Sequence, residues 1–156
     1  MGYAFISYSH TDRVVVEQLA TQLNKNGTEV WFDHDLVHGE KFPDRIEKEI
    51  ANSAVVVPIM SADSATSDWV AKELTLAHKY QRMIVPVSLD GHLFPKFDQV
   101  HVEMLRGATE LSSKFLADMR EACRPSGENA KERTLSWLPR LRTSVAELAS
   151  HRWMPA

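Results

Sequence analysis

One cysteine in 156 residues, Cys123, leaves the chain no partner for an internal disulfide. The framework of a small secreted domain is thereby excluded, and a reducing, cytoplasmic setting is expected. No run of about 18 apolar residues occurs, so no membrane-spanning helix is expected. No basic stretch followed by an apolar one succeeds Met1, so a secretory leader is not expected either. The net charge of −3 supplies no basic surface for direct contact with nucleic acid or an anionic membrane. The six glycines form neither a G-x-G-x-x-G nor a phosphate loop, and no G-x-S-x-G occurs. A resident Rossmann-bound cofactor and a serine-hydrolase elbow are therefore not expected. What is present is an ordinary globular mix, 44% hydrophobic and 25% charged, in a chain of one-domain length.

Apolar runs alternate with amphipathic stretches. Ala4–Tyr8 reads as a first strand, followed by a polar loop with Asp12 as a candidate N-cap. A helix from Arg13 to Asn26 carries Val15, Leu19 and Leu23 on one stripe, and Gly27 suits the position after its end. Glu29–Phe32 is a second strand, opening into the polar loop Asp33–Lys41. Pro43 suits the start of a short helix with Ile46 and Ile50 on its buried side. Ala54–Met60 and Met83–Leu89 are apolar throughout, as strands covered on both faces are. Pro58 and Pro86 should weaken or bulge the pairing of these two strands. Between them a helix is expected from Asp68 to Tyr80, with Val70, Leu74 and Ala77 as its core stripe. Val100–Val102 is a candidate fifth strand, and Leu111 to Arg124 a further helix. Pro125–Gly127 breaks the pattern. Trp137 to His151 then reads as a last helix with Leu138, Leu141, Val145 and Leu148 along one side.

This order predicts an α/β fold, an open parallel five-stranded sheet with helices on both faces, over residues 1–124. Residues 125–156 are expected to be a linker and a C-terminal helical extension. Ligands of such sheets bind beyond the carboxyl ends of the strands. Tyr8 to Asp12, Asp33 to Lys41, Met60 to Trp69 and Ser88 to Leu93 fall there, with Ser7 at the first strand's exit and Glu73 two turns into a helix that starts at the same edge.

Ser67-Asp68-Trp69-x-x-x-Glu73 is the most informative stretch. Ser67 suits an N-cap, and Asp68 meets the positive end of the helix dipole. Trp69 and Glu73, four apart, share a helix face. The pair reads either as a platform for a ring and a sugar or as a core anchor beside a face charge. Asp33 either bonds a substrate hydroxyl or caps the turn that follows. Ser7, Ser9 and His10 are either ligand contacts or loop residues. His34 and His38 are four apart, but Gly39 and the flanking charges place them on a loop, and no metal site is expected.

Three stretches together resemble the TIR (Toll/interleukin-1 receptor) domain. Phe5-Ile6-Ser7-Tyr8 is similar to that family's first box. Phe32-Asp33-x-x-Leu36-x-x-Gly39 is similar to its second box and BB loop. Ser67-x-Trp69-x-x-x-Glu73-Leu74 is similar to the pattern around the glutamate of its NAD-cleaving members. The resemblance covers roughly residues 2–124. It implies a flavodoxin-like fold and, with NAD as substrate rather than cofactor, cleavage of the nicotinamide–ribose bond. Glu73 would be the catalytic carboxylate, and Ser7, Ser9, His10, Asp33, Leu36 and Trp69 the substrate contacts. Leu36, Val37 and Gly39 would form an assembly loop through which one TIR domain engages another. The resemblance further implies an effector role in immune or antiphage defence. The products would be nicotinamide and either ADP-ribose or a cyclic isomer. The C-terminal helix would suit a connection to a sensor domain or subunit.

Two departures stand out: Val70 where many members have cysteine, and Ser9-His10 where some NAD-cleaving members are basic. The alternatives are a non-catalytic TIR adaptor acting by homotypic contact and a receiver-type phosphoacceptor. The latter needs an acidic pair after the first strand and an aspartate ending the third. The chain has Ser9-His10 and Pro58-Ile59-Met60 there.

Overall fold

The computed structural model describes residues 2–32, 42–97 and 100–124. Asp33, Leu36, Val37, Gly39 and the C-terminal helix expected from 137 lie outside the described residues. In chain order the elements are β1 (Tyr3–Ser7), α1 (Arg13–Lys25), β2 (Glu29–Trp31), α2 (Phe42–Asn52), β3 (Val55–Met60), α3 (Ala62–Ala65), α4 (Asp68–Lys79), β4 (Met83–Ile84), β5 (Val87–Ser88), β6 (Glu103–Met104) and α5 (Ser113–Ala122). The sheet runs β2-β1-β3-β5-β6, with β4 also paired to β3, and every pairing is parallel. Since β4 and β5 both lie along β3, the sheet has five strand positions in the doubly wound order.

Side-chain alternation divides the core into two layers. Ala4, Ile6, Val55, Val57 and Ile59 pack with Val16, Leu19 and Leu23 of α1 and Phe115 and Met119 of α5. Phe5, Val56 and Met60 pack with Ile46 and Ile50 of α2 and Val70, Leu74 and Ala77 of α4. Phe5 also stacks on Trp31, ring centroids 5.1 Å apart. Every residue of β3 is buried, which explains its unbroken apolar run.

The two prolines mark a break in the strand expected at Met83–Leu89. Val56 accepts from the Val85 N–H at 2.9 Å and Met60 from the Leu89 N–H at 3.0 Å. The even-numbered residues of β3 therefore turn their backbone toward β4 and β5. The N–H that Pro58 lacks would face the gap between those two strands. The Pro86 carbonyl accepts from Glu103 N–H at 3.1 Å. Its own missing donor thus falls just ahead of the first β5–β6 pair, Val87 with Glu103. Each proline sits where the ladder has no use for its N–H.

Other boundaries moved. The fifth strand is Glu103–Met104, not Val100–Val102; Val102 packs against the α2/α4 layer, and Val100 touches both layers. The last described helix starts at Ser113, because Ser112 caps it by accepting from the Phe115 N–H. The four-residue α3 was not expected; Ser61 and Ser64 cap it reciprocally. Helix α1 ends as Gly27 suggested. At φ +86° the glycine lets Thr28 N–H reach the Leu23 carbonyl at 2.9 Å and its own N–H reach that of Asn24 at 3.1 Å.

Candidate active site

Helix α4 begins as the sequence indicates. Ser67 is extended at φ −83°, and its hydroxyl accepts from the Val70 N–H. Asp68 lies in the first turn. This start places Trp69 and then Glu73 near the carboxyl edge of the sheet, on the face that α4 covers. Trp69 is half-buried and packs against the α2/α4 layer. Glu73 lies among the core residues of the helix and is only 3% exposed.

A carboxylate that deep needs polar partners, because burying it unpaired costs several kcal/mol or more. Ser7 supplies one. Its hydroxyl donates to Glu73 Oε1 at 2.9 Å. The contact follows from strand geometry. Ser7 stands two residues after Phe5 and shares its face, so it points at α4 from the last position of β1. Ser7 is itself fully buried.

From Ser7 the chain runs out through Tyr8, Ser9 and His10. Tyr8 is buried and meets Phe32 edge-on at 6.0 Å and His10 at 6.0 Å. Ser9 is half-buried and His10 exposed. The Ser9 carbonyl accepts from the Asp12 N–H at 2.8 Å, closing a single 3₁₀ turn. Asp12 holds the N-cap position of α1 without making the cap bond. Its carboxylate instead accepts from Ser61 Oγ at 2.5 Å, in the turn between β3 and α3. Partial burial pushes the Asp12 carboxyl up, Asp63 and Asp90 push the same way, and the Ser61 hydrogen bond opposes them.

The structure thus brings Ser7 and Glu73 into contact and sets Trp69 one turn from Glu73. Ser9 and His10 lie on the segment that leaves Ser7. The Ser7–Glu73 bond was not read from the sequence, because the parity of Ser7 with Phe5 gives the face it occupies and not its partner on α4. The Asp12–Ser61 bond was missed because aspartate before a helix reads as a cap. Among the described residues, no group of three or more His, Cys, Asp or Glu could hold a metal ion. No helix among them is long and apolar enough to cross a membrane. The third strand ends at Met60, followed by Ser61, so the aspartate a receiver-type phosphoacceptor needs there is not in place.

Comparison with known proteins gives a consistent answer. The NAD(+) hydrolase tir-1 of Caenorhabditis elegans is 26% identical over 129 residues, 76% of this chain. The match spans only 13% of that protein's length. The TIR domain of the Toll-related receptor TRR-2 from Hydra magnipapillata superposes with a TM-score of 0.58 at 22% identity, over 65% of this chain and 82% of that one. The TIR domains of the activated Roq1 resistosome, which directly recognises the pathogen effector XopQ, give 0.53 at 21%, over 96% and 84%. A metazoan TIR-STING receptor from C. gigas gives 0.54 at 27%, over 81% and 41%. The sequence profile of the TIR domain matches residues 4–132. The chain belongs to the TIR domain family.

Proposed function

We propose that this chain is an NAD glycohydrolase whose catalytic carboxylate is Glu73. The observation that carries the reading is the buried Glu73 at the carboxyl edge of the sheet, held by the Ser7 hydroxyl at 2.9 Å and set one turn from Trp69. The kinship with an NAD(+) hydrolase over 76% of the chain supports it.

The chemistry asks little more of the protein. Nicotinamide is already a cationic pyridinium, so the bond from its nitrogen to the ribose C1′ breaks without a general acid. The bonding pair stays on nitrogen, and neutral nicotinamide leaves. The ribose carbon becomes oxocarbenium-like, as in glycoside hydrolysis. Glu73 stabilises that positive charge, and in a low-dielectric site the attraction is far larger than in water. Water adds to C1′ and releases a proton, giving ADP-ribose; attack from within the same molecule gives a cyclic isomer instead. NAD is consumed as substrate, and no resident cofactor takes part. Ser7 orients Glu73 rather than touching substrate, because its hydroxyl is committed to the carboxylate. Trp69 stacks on a ring of the dinucleotide. Ser9, His10 and Asp33 contact its ribose or phosphates, with Leu36 beside them.

The 3% exposure of Glu73 fits an enzyme that is off as a single chain. In this reading a neighbouring TIR domain engages Leu36, Val37 and Gly39 and completes the site. Residues 125–156 join residues 1–124 to whatever clusters the chains, and the cell uses NAD loss as a defence signal. The second reading is an adaptor without catalysis. The burial of Glu73 favours it too, since a hydrogen-bonded core carboxylate need do nothing but hold two elements together. Incubation with NAD over a series of protein concentrations, with chromatography of the products, decides between them. Nicotinamide release whose specific rate climbs with concentration is the expected result. No release at any concentration favours the adaptor.

A further inference from the structure

The segment Ser7–Asp12 is tied down at both ends. At one end Ser7 donates to Glu73 of α4 at 2.9 Å. In the middle Tyr8 rests against Phe32 at the end of β2. At the other end Asp12 accepts from Ser61 Oγ at 2.5 Å. Ser9 and His10 are the span between these ties. Asp12 is of a residue type that ordinarily caps the helix it precedes. Here its side chain makes no cap bond and is spent on a turn 49 residues away. That choice is expensive for the carboxylate, which is half-buried and sits within electrostatic reach of Asp63 and Asp90. A local cap would have been the cheaper use. The bond joins the loop leaving β1, which starts at Ser7, to the loop leaving β3.

We infer that Asp12 is a positioning residue for substrate binding, which pins the Ser9–His10 span to the β3–α3 turn through Ser61. The inference rests on the NAD-cleaving reading above. The pin lies beyond Ser9 and His10, whereas Glu73 has its own tie to Ser7. Its loss therefore loosens the contacts to substrate and leaves the carboxylate in place. The expected signature is a rise in KM with kcat retained, which marks the loss of binding that is equal in ground and transition states.

The experiment compares wild type, Asp12→Ala, Asp12→Asn and Glu73→Gln in steady-state NAD cleavage, under conditions where the wild type is assembled. Amide hydrogen exchange of residues 9–12 is followed in parallel without NAD. Asp12→Ala is expected to raise KM for NAD with kcat near wild type. It should also speed exchange of the Asp12 N–H, now bonded to the Ser9 carbonyl. The melting midpoint is recorded for each variant, so that a general loss of folding is told apart from a loosened span. Asp12→Asn keeps an acceptor for Ser61 Oγ and should restore both KM and exchange. Unchanged exchange in Asp12→Ala overturns the pin. Faster exchange with an unchanged KM overturns the positioning role. An asparagine variant as impaired as alanine overturns the hydrogen bond as its means. Absence of turnover from the assembled wild type instead overturns the NAD-cleaving reading beneath, and turnover retained in Glu73→Gln overturns Glu73 as its carboxylate.

Discussion

The two edges of the sheet carry similar chemical pairs in different surroundings. At the carboxyl edge the Ser7 hydroxyl donates to Glu73, which is 3% exposed. At the amino edge the Tyr80 hydroxyl donates to Glu47 at 2.6 Å, and the Lys79 ammonium lies 2.8 Å from the same oxygen. There the Lys79 side chain is 60% exposed and that of Glu47 34%. Tyr3 makes a comparable tie to Glu49 at 2.8 Å, and its phenol is pushed well up by partial burial and by that carboxylate. The amino-edge pairs fasten α2 to its neighbours, and water screens their charges. The carboxyl-edge pair is taken out of water, where a negative charge acts strongly on whatever positive charge develops beside it. A hydroxyl bonded to a carboxylate is thus a fastening at one edge and a candidate reaction centre at the other. Burial makes the difference, not the residue types.

The widest separation between the edges is in turnover. Glu73→Gln keeps the shape of the side chain and an acceptor for Ser7 while removing the charge. A loss of roughly 100- to 1000-fold in NAD cleavage is expected, the usual cost of one electrostatic contact to a transition state. Glu47→Gln makes the same change at the other edge and should leave turnover at the wild-type level. Initial rates of nicotinamide release measure both. Equal effects, or none, would collapse the comparison.

Stability separates them next. Ser7→Ala removes the donor and leaves the buried carboxylate short of a partner, at a cost of about 1–3 kcal/mol. For a chain of this size each kcal/mol lowers the melting midpoint by roughly 2–4 °C. Tyr80→Phe removes the corresponding donor at a half-buried site that solvent still reaches, and should move the midpoint less. Scanning calorimetry of the two variants compares them directly.

How much of this was legible follows the same division. The central strand β3 announces itself because burial on both faces demands apolar residues throughout. Strand β6 does not. It is two residues long, lies at the edge of the sheet, and leaves Met104 36% exposed. Its apolar neighbours Val100 and Val102 fill the core layers rather than a strand, and they drew the expected strand three residues too early. Helix α4 was readable from its cap and spacing, which are local. The partner of Glu73 was not, because Ser7 lies 66 residues away and meets it only through the packing of β1 under α4. The Asp12–Ser61 bond is hidden for the same reason, and doubly so because a local cap explains aspartate there well enough. Short-range rules placed the candidate carboxylate, and only the fold supplied what holds it.

Acidity distinguishes the edges by sign. The Asp12 carboxyl is raised above its ordinary 3.8, first by burial and then by Asp63 and Asp90. The fold therefore favours its protonated form. Its contribution to stability is full below 3.8 and is lost as pH rises through the raised value. Glu47 is lowered below its ordinary 4.5, first by the Lys79 hydrogen bond and then by Tyr80. Its contribution is present above 4.5 and is lost as pH falls through the lowered value. Melting midpoints against pH should show this as opposite slopes. Relative to wild type, Asp12→Asn should gain between acid and neutral pH, while Glu47→Gln should lose. Parallel curves for the two variants would remove the distinction.

The smallest effect belongs to Lys79. Its ammonium pairs with Glu47 and lies 5.1 Å from the centre of the Tyr80 ring, and Glu47 holds its pKa up. These contacts are made at the surface, where holding two long side chains in one geometry offsets most of the attraction. The Tyr80–Glu47 hydrogen bond also remains after Lys79 is gone. Lys79→Met keeps the length of the apolar stem and removes the charge, so packing against the ring is conserved while the ion pair is not. Its melting midpoint should lie barely below that of wild type in dilute buffer. The gap should close in about 1 M salt, where the screening length falls to roughly 3 Å. Ser7→Ala should lose as much stability in salt as without it, since the Ser7–Glu73 bond is shielded from ions. Midpoints of both variants at low and high salt test the contrast. A salt-sensitive Ser7→Ala would mean that solvent reaches Glu73 after all, and the edges would then differ in degree rather than in kind.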